Sequence, residues 1–387
     1  MADVVSALAD RFERTRAALD ANGADALLLG LGADLRYLTG YTAHALERLT
    51  LLVVPADGRA FLVAPRLEAM AAAASPAAAA GLVDIEAWEE TDNPYELVAT
   101  RLGAAGMSAA SSGSTRRLLV DAALPARHLL ALQAALPGRR FGLASEVLRD
   151  LRIVKASDEI DLLRRAAHAA DAVVARIATG PLLGRAEAEI SRQVRDLLID
   201  EGHEEASFAI VASGPNGASP HHGAGERRIA PGDPIVLDIG GTVDGYGSDI
   251  TRMLWVTGVD GAVAPTAEFL EVFDLVRAAN ANATAAVRPG ARCGDLDAIA
   301  RGTIRDGGFG DAFIHRLGHG IGLEAHEDPY LVAGNDEPLT VGNAFSIEPG
   351  IYLDGRFGAR IEDIVVCGPD GADVLNEAPR ELLVVPG

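Results

Sequence analysis

The chain has 387 residues, 49% of them apolar and 23% charged, a composition that supports a sizeable folded core and excludes a disordered or fibrous protein. With 34 Lys and Arg against 55 Asp and Glu, the formal net charge of -21 excludes the clustered basic surface that phosphate binding needs, so no nucleic-acid partner is expected. No apolar run approaches the roughly 20 residues that span a bilayer, Cys293 and Cys367 are too few for a disulfide framework, and the first residues lack the basic start and apolar run of a signal peptide, so a cytoplasmic protein without membrane contact is expected.

At this length two unequal domains are the default expectation. In the first, a helical segment to about residue 22 is followed by short apolar strands at 26–30, 51–54, 61–63 and 118–120, and the Ala-rich stretch 69–80 reads as surface helix broken at Pro76. These alternations predict a compact α/β domain over residues 1–151 with no visible chemistry. Residues 148–157 read as a charged connection, which puts the boundary near Arg152. Beyond it, Ile160, Leu163, Ala167, Ala170 and Val174 recur at helical spacing, with acidic residues in the first turn where the helix dipole favours them. A long helix therefore opens a second domain, residues 152–387. Further helices are expected around Ile190, Val194, Leu197 and Leu198, ending at Gly202, and over 267–287 and 295–305, the last two separated by Arg288-Pro289-Gly290. Strand pairs fall between them, an α+β arrangement in which helices cover one face of an antiparallel sheet.

The chemistry-bearing residues all lie in this second domain. Pro234-Ile235-Val236-Leu237-Asp238-Ile239-Gly240-Gly241 is an apolar strand interrupted by one carboxylate, and residues 247–256 form a return strand after Asp244-Gly245. A hairpin centred near Val243 and Asp244 places Asp238 opposite Asp249, where two carboxylates repel unless a cation lies between them. A second hairpin, centred on Gly355, places Glu348 opposite Glu362, and Arg360 on the same strand face as Glu362 could orient it or hold a substrate carboxylate. His315-Arg316-Leu317-Gly318-His319-Gly320-Ile321-Gly322 is too glycine-rich for a zinc-binding helix, so an extended segment is expected to bring His319 to the carboxylates. Four carboxylates and one imidazole match two divalent ions, and oxygen-rich ligation suits Mn²⁺, Co²⁺ or Fe²⁺ at least as well as Zn²⁺. Such a pair can activate a shared water and clamp a carbonyl, as in aminopeptidases, which points to amide hydrolysis. Taken singly, a strand carboxylate is most often solvated, His319 a structural histidine, Arg360 a surface charge, and His221 and His222 loop residues. The combination reverses that balance.

The ordered set Asp238, Asp249, His319, Glu348 and Glu362 resembles the pita-bread metallopeptidases, the family of methionine aminopeptidase, aminopeptidase P and prolidase. The matching motifs are Leu237-Asp238-Ile239-Gly240, Ser248-Asp249-Ile250-Thr251-Arg252, Gly318-His319-Gly320, Ile347-Glu348-Pro349-Gly350 and Arg360-Ile361-Glu362-Asp363. By that resemblance Asp238 would chelate one ion, Asp249 and Glu362 would bridge both, and His319 and Glu348 would hold the other, with Glu348 also accepting a proton from the nucleophilic water. His221 would contact the substrate near the scissile amide, and His326 would stabilise the tetrahedral intermediate. His315 and Arg360 match substrate-binding positions of the proline-directed branch. The extra N-terminal domain resembles aminopeptidase P and prolidase rather than methionine aminopeptidase. The resemblance therefore implies an α+β pita-bread catalytic domain behind a smaller α/β domain, Xaa-Pro dipeptide substrates, two divalent ions with Mn²⁺ foremost, and a homodimer. Aminopeptidase P action on longer peptides is the nearest alternative. A non-catalytic peptide-binding module and metal-free creatinase-like C–N hydrolysis are disfavoured by the complete ligand set.

Overall fold

The computed structural model describes residues 2–44, 46–104 and 117–386, and the chain divides into two compact units, Met1–Arg152 and Ile153–Gly387. The first runs α1 (Ala2–Ala21), β1 (Ala24–Leu29), α2 (Ala33–Thr39), β2 (Leu51–Pro55), β3 (Ala60–Pro65), α3 (Ala69–Ala73), α4 (Pro76–Ala79), β4 (Val83–Trp88), α5 (Pro94–Leu102), β5 (Arg117–Val120), α6 (Ala126–Ala135), β6 (Arg140–Leu143) and α7 (Ser145–Arg152). Its strands form one mixed sheet in the order β4-β3-β2-β1-β5-β6, antiparallel across β1, β2 and β3 and parallel elsewhere. Every residue of β1, β2 and β3 is buried, the signature of strands covered on both faces. The edge strands β4 and β6 are half-buried or exposed along most of their length, so neither carries a strong apolar pattern in the sequence. The expected charged connection at 148–157 is in its first half the end of helix α7. Val147, Leu148 and Leu151 form a buried stripe at helical spacing, and the charges between them face outward.

The second unit contains α8 (Ser157–Thr179), α9 (Glu187–Asp200), β7 (Glu205–Ser213), β8 (Pro234–Val243), β9 (Tyr246–Gly247), β10 (Ile250–Val256), α10 (Ala267–Ala286), α11 (Cys293–Asp306), β11 (Gly318–Gly320), β12 (Glu327–Leu331), β13 (Ala344–Ile347), β14 (Gly350–Leu353), β15 (Phe357–Arg360), β16 (Asp363–Cys367), β17 (Ala372–Val374) and β18 (Leu383–Val385). Two sheets result, β18-β10-β8-β7 with β9 beside β8, and β12-β11-β13-β16-β17, together with the hairpin β14–β15. Pairing is antiparallel except between β10 and β18.

Helices pack on both faces of the first sheet, not on one as expected. On one side Ile177, Val194 and Leu198 of α8 and α9 meet Ile235, Leu237, Ile239 and Leu254. On the other, Val236, Met253 and Trp255 join the core formed by α10, α11, β13 and β16. The physical reason is the strand period of two: β8 is apolar at odd and even positions alike, so both of its faces need cover. Asp238 shares the second face with Val236, the side that also meets β13 and β16.

Candidate metal centre

The turn between β8 and β9 is the two-residue Asp244-Gly245, both with positive φ (49° and 86°), the geometry that matches the right-handed twist of a hairpin. The hairpin centre therefore falls half a step beyond Asp244, one residue later than the sequence suggests, and the pairing moves by two. Asp238 lies opposite Thr251, and Asp249, one step past the Ile239–Ile250 pair, falls across from Gly240. A shift of two preserves the face, so both carboxylates still project on the same side. The second hairpin keeps the expected register: Gly350 pairs with Arg360 and Ile347 with Asp363, with Glu348 and Glu362 between these pairs.

The segment around His319 is extended, as expected. It forms β11, pressed between β12 and β13, and a Cβ on Gly318 would stand 1.9 Å from the Ser346 carbonyl oxygen. Only glycine fits there, which explains the glycine-rich sequence around the histidine. His319 Nδ1 lies 3.1 Å from the Gly320 carbonyl and must donate to it, leaving the Nε2 lone pair facing Glu348 at 3.4 Å and Asp249 at 3.7 Å. A lone pair aimed at two carboxylates is repulsive unless a cation sits among them. Asp249, His319 and Glu362 offer ligand atoms that all lie within 4.8 Å of one another.

Asp238, Asp249, His319, Glu348 and Glu362 line one cavity of about 760 Å³ together with His221, His315, His326 and Arg360, so all nine singled-out side chains converge. The His326 ring lies 3.9 Å from that of His319, and the neighbouring Glu327 is held by the chain's single lysine, Lys155, at 2.6 Å. Arg360 is internally committed: Nη2 donates to Asp238, Nε to Thr251 Oγ1 at 3.0 Å and Nη1 to Tyr352 Oη at 2.7 Å. Its link to Glu362 runs through Thr251, whose hydroxyl donates to Glu362 Oε2 at 2.8 Å. Tyr352 in turn donates to His315 Nε2 at 2.8 Å, and His315 Nδ1 donates to the Arg316 carbonyl at 2.7 Å, which fixes the tautomer of a neutral ring. Residues that the sequence does not single out complete the walls, notably Phe208, Ile210, Ile314 and Arg316. The Arg316 guanidinium stacks 4.4 Å over the Tyr330 ring and makes no hydrogen bond to another described residue.

Burial, reinforced by neighbouring carboxylates, pushes the Asp249 and Glu362 carboxyls well above their ordinary range. Glu348 rises to about 7, chiefly through burial, and Asp238 rises too although Arg360 opposes the shift. Burial holds His319 down to about 3 and His315 to about 4. The sign of the resulting pH effect depends on the window. Below about pH 7.5 the buried neutral histidines and the carboxyls act in opposite directions, but above it the histidines are neutral in both states. There only the folded carboxyls still hold protons that the unfolded chain has released, so stability falls as pH rises. Metal-free protein is therefore expected to melt at a lower temperature at about pH 8.5 than at about pH 7.5, and saturating divalent metal should remove that loss. Calorimetry on chelator-treated protein checks this, and a melting temperature that climbs over the interval contradicts it.

The model of metallopeptidase family M24 matches residues 161–369, and the creatinase/prolidase N-terminal domain model matches residues 11–154. The chain belongs to metallopeptidase family M24. Within it, a Mycobacterium tuberculosis protein named "Probable dipeptidase PepE" is 45% identical over 98% of both chains, and the Xaa-Pro dipeptidase of Lactobacillus delbrueckii subsp. lactis is 32% identical over 95% of this chain and 97% of its own. The crystal structure of dipeptidase PepE from Mycobacterium ulcerans superposes with a TM-score of 0.89, at 43% identity over 99% of each chain. The M24 unit has the mixed helix-and-sheet pita-bread architecture, and the protein is a metallopeptidase. Membership in M24 implies divalent metal ions, and the site fits them. Its donors are mostly hard oxygens, and Asp238 Oδ1 is buried with no hydrogen-bond partner among the described residues. No helix among the described residues is long and apolar enough to cross a membrane.

Proposed function

We propose that this M24 peptidase is a dinuclear metal-dependent dipeptidase that cleaves the bond before a C-terminal proline, with catalysis in residues 152–387. The observation that carries the reading is the convergence of Asp238, Asp249, His319, Glu348 and Glu362 on one cavity that also presents His221, His315, His326 and two arginines. Asp238 would hold one ion, His319 and Glu348 the other, and Asp249 and Glu362 both. When bound, the ions supply Lewis acidity, lowering the pKa of a nucleophilic water and polarising the scissile carbonyl. The chain's own groups do the rest. Glu348 accepts the proton of the attacking water and returns it to the leaving nitrogen. His326 offers a neutral N–H to the oxyanion as it develops, and His221 contacts the substrate beside the scissile amide. Oxygen-rich ligation favours Mn²⁺, with Co²⁺, Fe²⁺ or Zn²⁺ as substitutes. The two free, buried cysteines fit a reducing, cytoplasmic setting, and a homodimer is the assembly that the family resemblance implies.

Dipeptide preference rests on the two cavity-lining cations. Arg360 keeps two of its five N–H groups after its three internal bonds, whereas the guanidinium of Arg316 is free of hydrogen bonds to described residues and better able to take the free carboxylate of the proline. Ala-Pro is expected to exceed Ala-Pro-amide, Ala-Pro-Ala and Ala-Ala in kcat/KM. A lost charge-assisted hydrogen bond is worth roughly 10- to 100-fold, so Arg316→Ala should lower kcat/KM by about that factor for Ala-Pro and hardly at all for the amide. Faster cleavage of Ala-Pro-Ala moves the assignment to an aminopeptidase, and equal turnover of Ala-Ala removes the proline specificity.

A further inference from the structure

The connection between β7 and β8, residues 214–233, is long for a compact domain, and such connections are commonly functional. It follows Ser213, begins with Gly214-Pro215-Asn216-Gly217 and brings Ser219, Pro220 and His221 to the cavity wall. What holds it is Glu187, the first residue of α9, whose side chain is completely buried. Its Oε1 accepts the Ser213 backbone N–H at 2.7 Å, the Ser213 hydroxyl at 2.6 Å and Asn216 Nδ2 at 3.0 Å. Its Oε2 accepts Asn216 Nδ2 at 3.0 Å, His222 Nε2 at 2.8 Å and the Gly225 N–H at 3.4 Å.

A carboxylate at a helix start ordinarily serves its own helix through the capping box or the dipole. Glu187 does neither through hydrogen bonds, because every one that it accepts comes from residues 213–225. Burial pushes its carboxyl up, yet the Ser213, His222 and Asn216 bonds outweigh burial and hold it below the ordinary value, so a full negative charge sits there. The adjacent histidines divide the work: His221 lines the cavity while His222 is tied to Glu187. The loop also lies against β15, where a Cβ on Gly358 would stand 1.9 Å from the Gly217 carbonyl oxygen. The loop is thus held both by a buried charge and by contact with the strand that carries Arg360.

We propose that Glu187 is a positioning residue for peptide hydrolysis, which fixes the 213–225 loop so that His221 meets the substrate. The proposal rests on the substrate contact assigned to His221 above. Its test is a double-mutant cycle in kcat/KM for Ala-Pro, on metal-loaded protein whose metal content is measured in each variant. His221→Ala should lower kcat/KM by about 10²–10³-fold. Glu187→Gln, which swaps an acceptor for a donor facing five donors, should lower it by about 10–10²-fold through misplacement. Both should retain the wild-type metal stoichiometry. In the His221→Ala background, Glu187→Gln should then cost less than about 2-fold, since the group it positions is gone. A purely structural Glu187 predicts the full loss again in that background, and additive effects overturn the proposal. A fully active Glu187→Gln does the same. A fully active His221→Ala overturns the histidine's role as well, so the two failures are told apart. Should Glu187→Gln fail to fold, Asn216→Ala removes two contacts to the carboxylate and leaves the charge. Its smaller loss should also vanish in the His221→Ala background, and persistence of that loss refutes the clamp.

Discussion

Replacing Asp249 by Asn, or Glu362 by Gln, is expected to cost the protein its bound metal and its activity together. Both side chains are buried, both carboxyls are raised by burial and by neighbouring carboxylates, Asp238 and Glu348 among them, and with His319 they offer ligand atoms that all lie within 4.8 Å of one another. Each is proposed as a ligand shared by two ions, for which no substitute lies nearby, and Lewis-acid stabilisation of a transition state is worth several kcal/mol at about 1.4 kcal/mol per tenfold, so kcat/KM should fall by at least about 10³-fold. Loss of fold is the trivial explanation, and electrostatics separates the two. Removing one of several mutually repelling buried carboxylates should leave the metal-free protein as stable as, or more stable than, metal-free wild type at neutral pH. Elemental analysis together with melting of the metal-free variants reads both quantities. His326→Ala provides the contrast, losing activity while keeping its metal, and a His326 variant that loses stoichiometric metal would contradict the division between ligands and catalytic groups.

Much of this site is legible in the sequence because strand periodicity tolerates error. The first acidic hairpin is centred one residue too early when read from composition, yet the pairing slips by two and both aspartates keep their face. The second is fixed by Gly355 with its positive φ, and its register comes out unchanged. The glycines beside His319 exclude a helix, and the structure makes them the middle strand between β12 and β13.

What is not legible comes from segments far apart in the chain. Phe208, Ile210, Ile314 and Arg316 look like ordinary strand or loop residues until the cavity assembles. Glu187 reads as a carboxylate in the first turn of a helix, where the dipole alone accounts for it, and its service to residues 213–225 depends on a contact across the fold. Likewise Arg360 reads as a surface charge, as a group that orients Glu362 or as one that holds a substrate carboxylate, and its bonds to Asp238, Thr251 and Tyr352 emerge only in the fold. The second helical layer escapes for a related reason: β8 shows apolar residues on both faces, but nothing local says that α10 and α11 supply the cover on one of them.

Hydrolysis of Ala-Pro by protein stripped of metal, then titrated with Mn²⁺, tests the dinuclear reading most directly. The proposed ligands sit on strands or within two residues of strand ends that apolar cores already hold, so stripping should abolish turnover while the fold persists, and activity should return in step with bound metal up to two ions per chain. Unchanged turnover by protein that elemental analysis shows to be metal-free, or full activity reached at one bound ion, would contradict it.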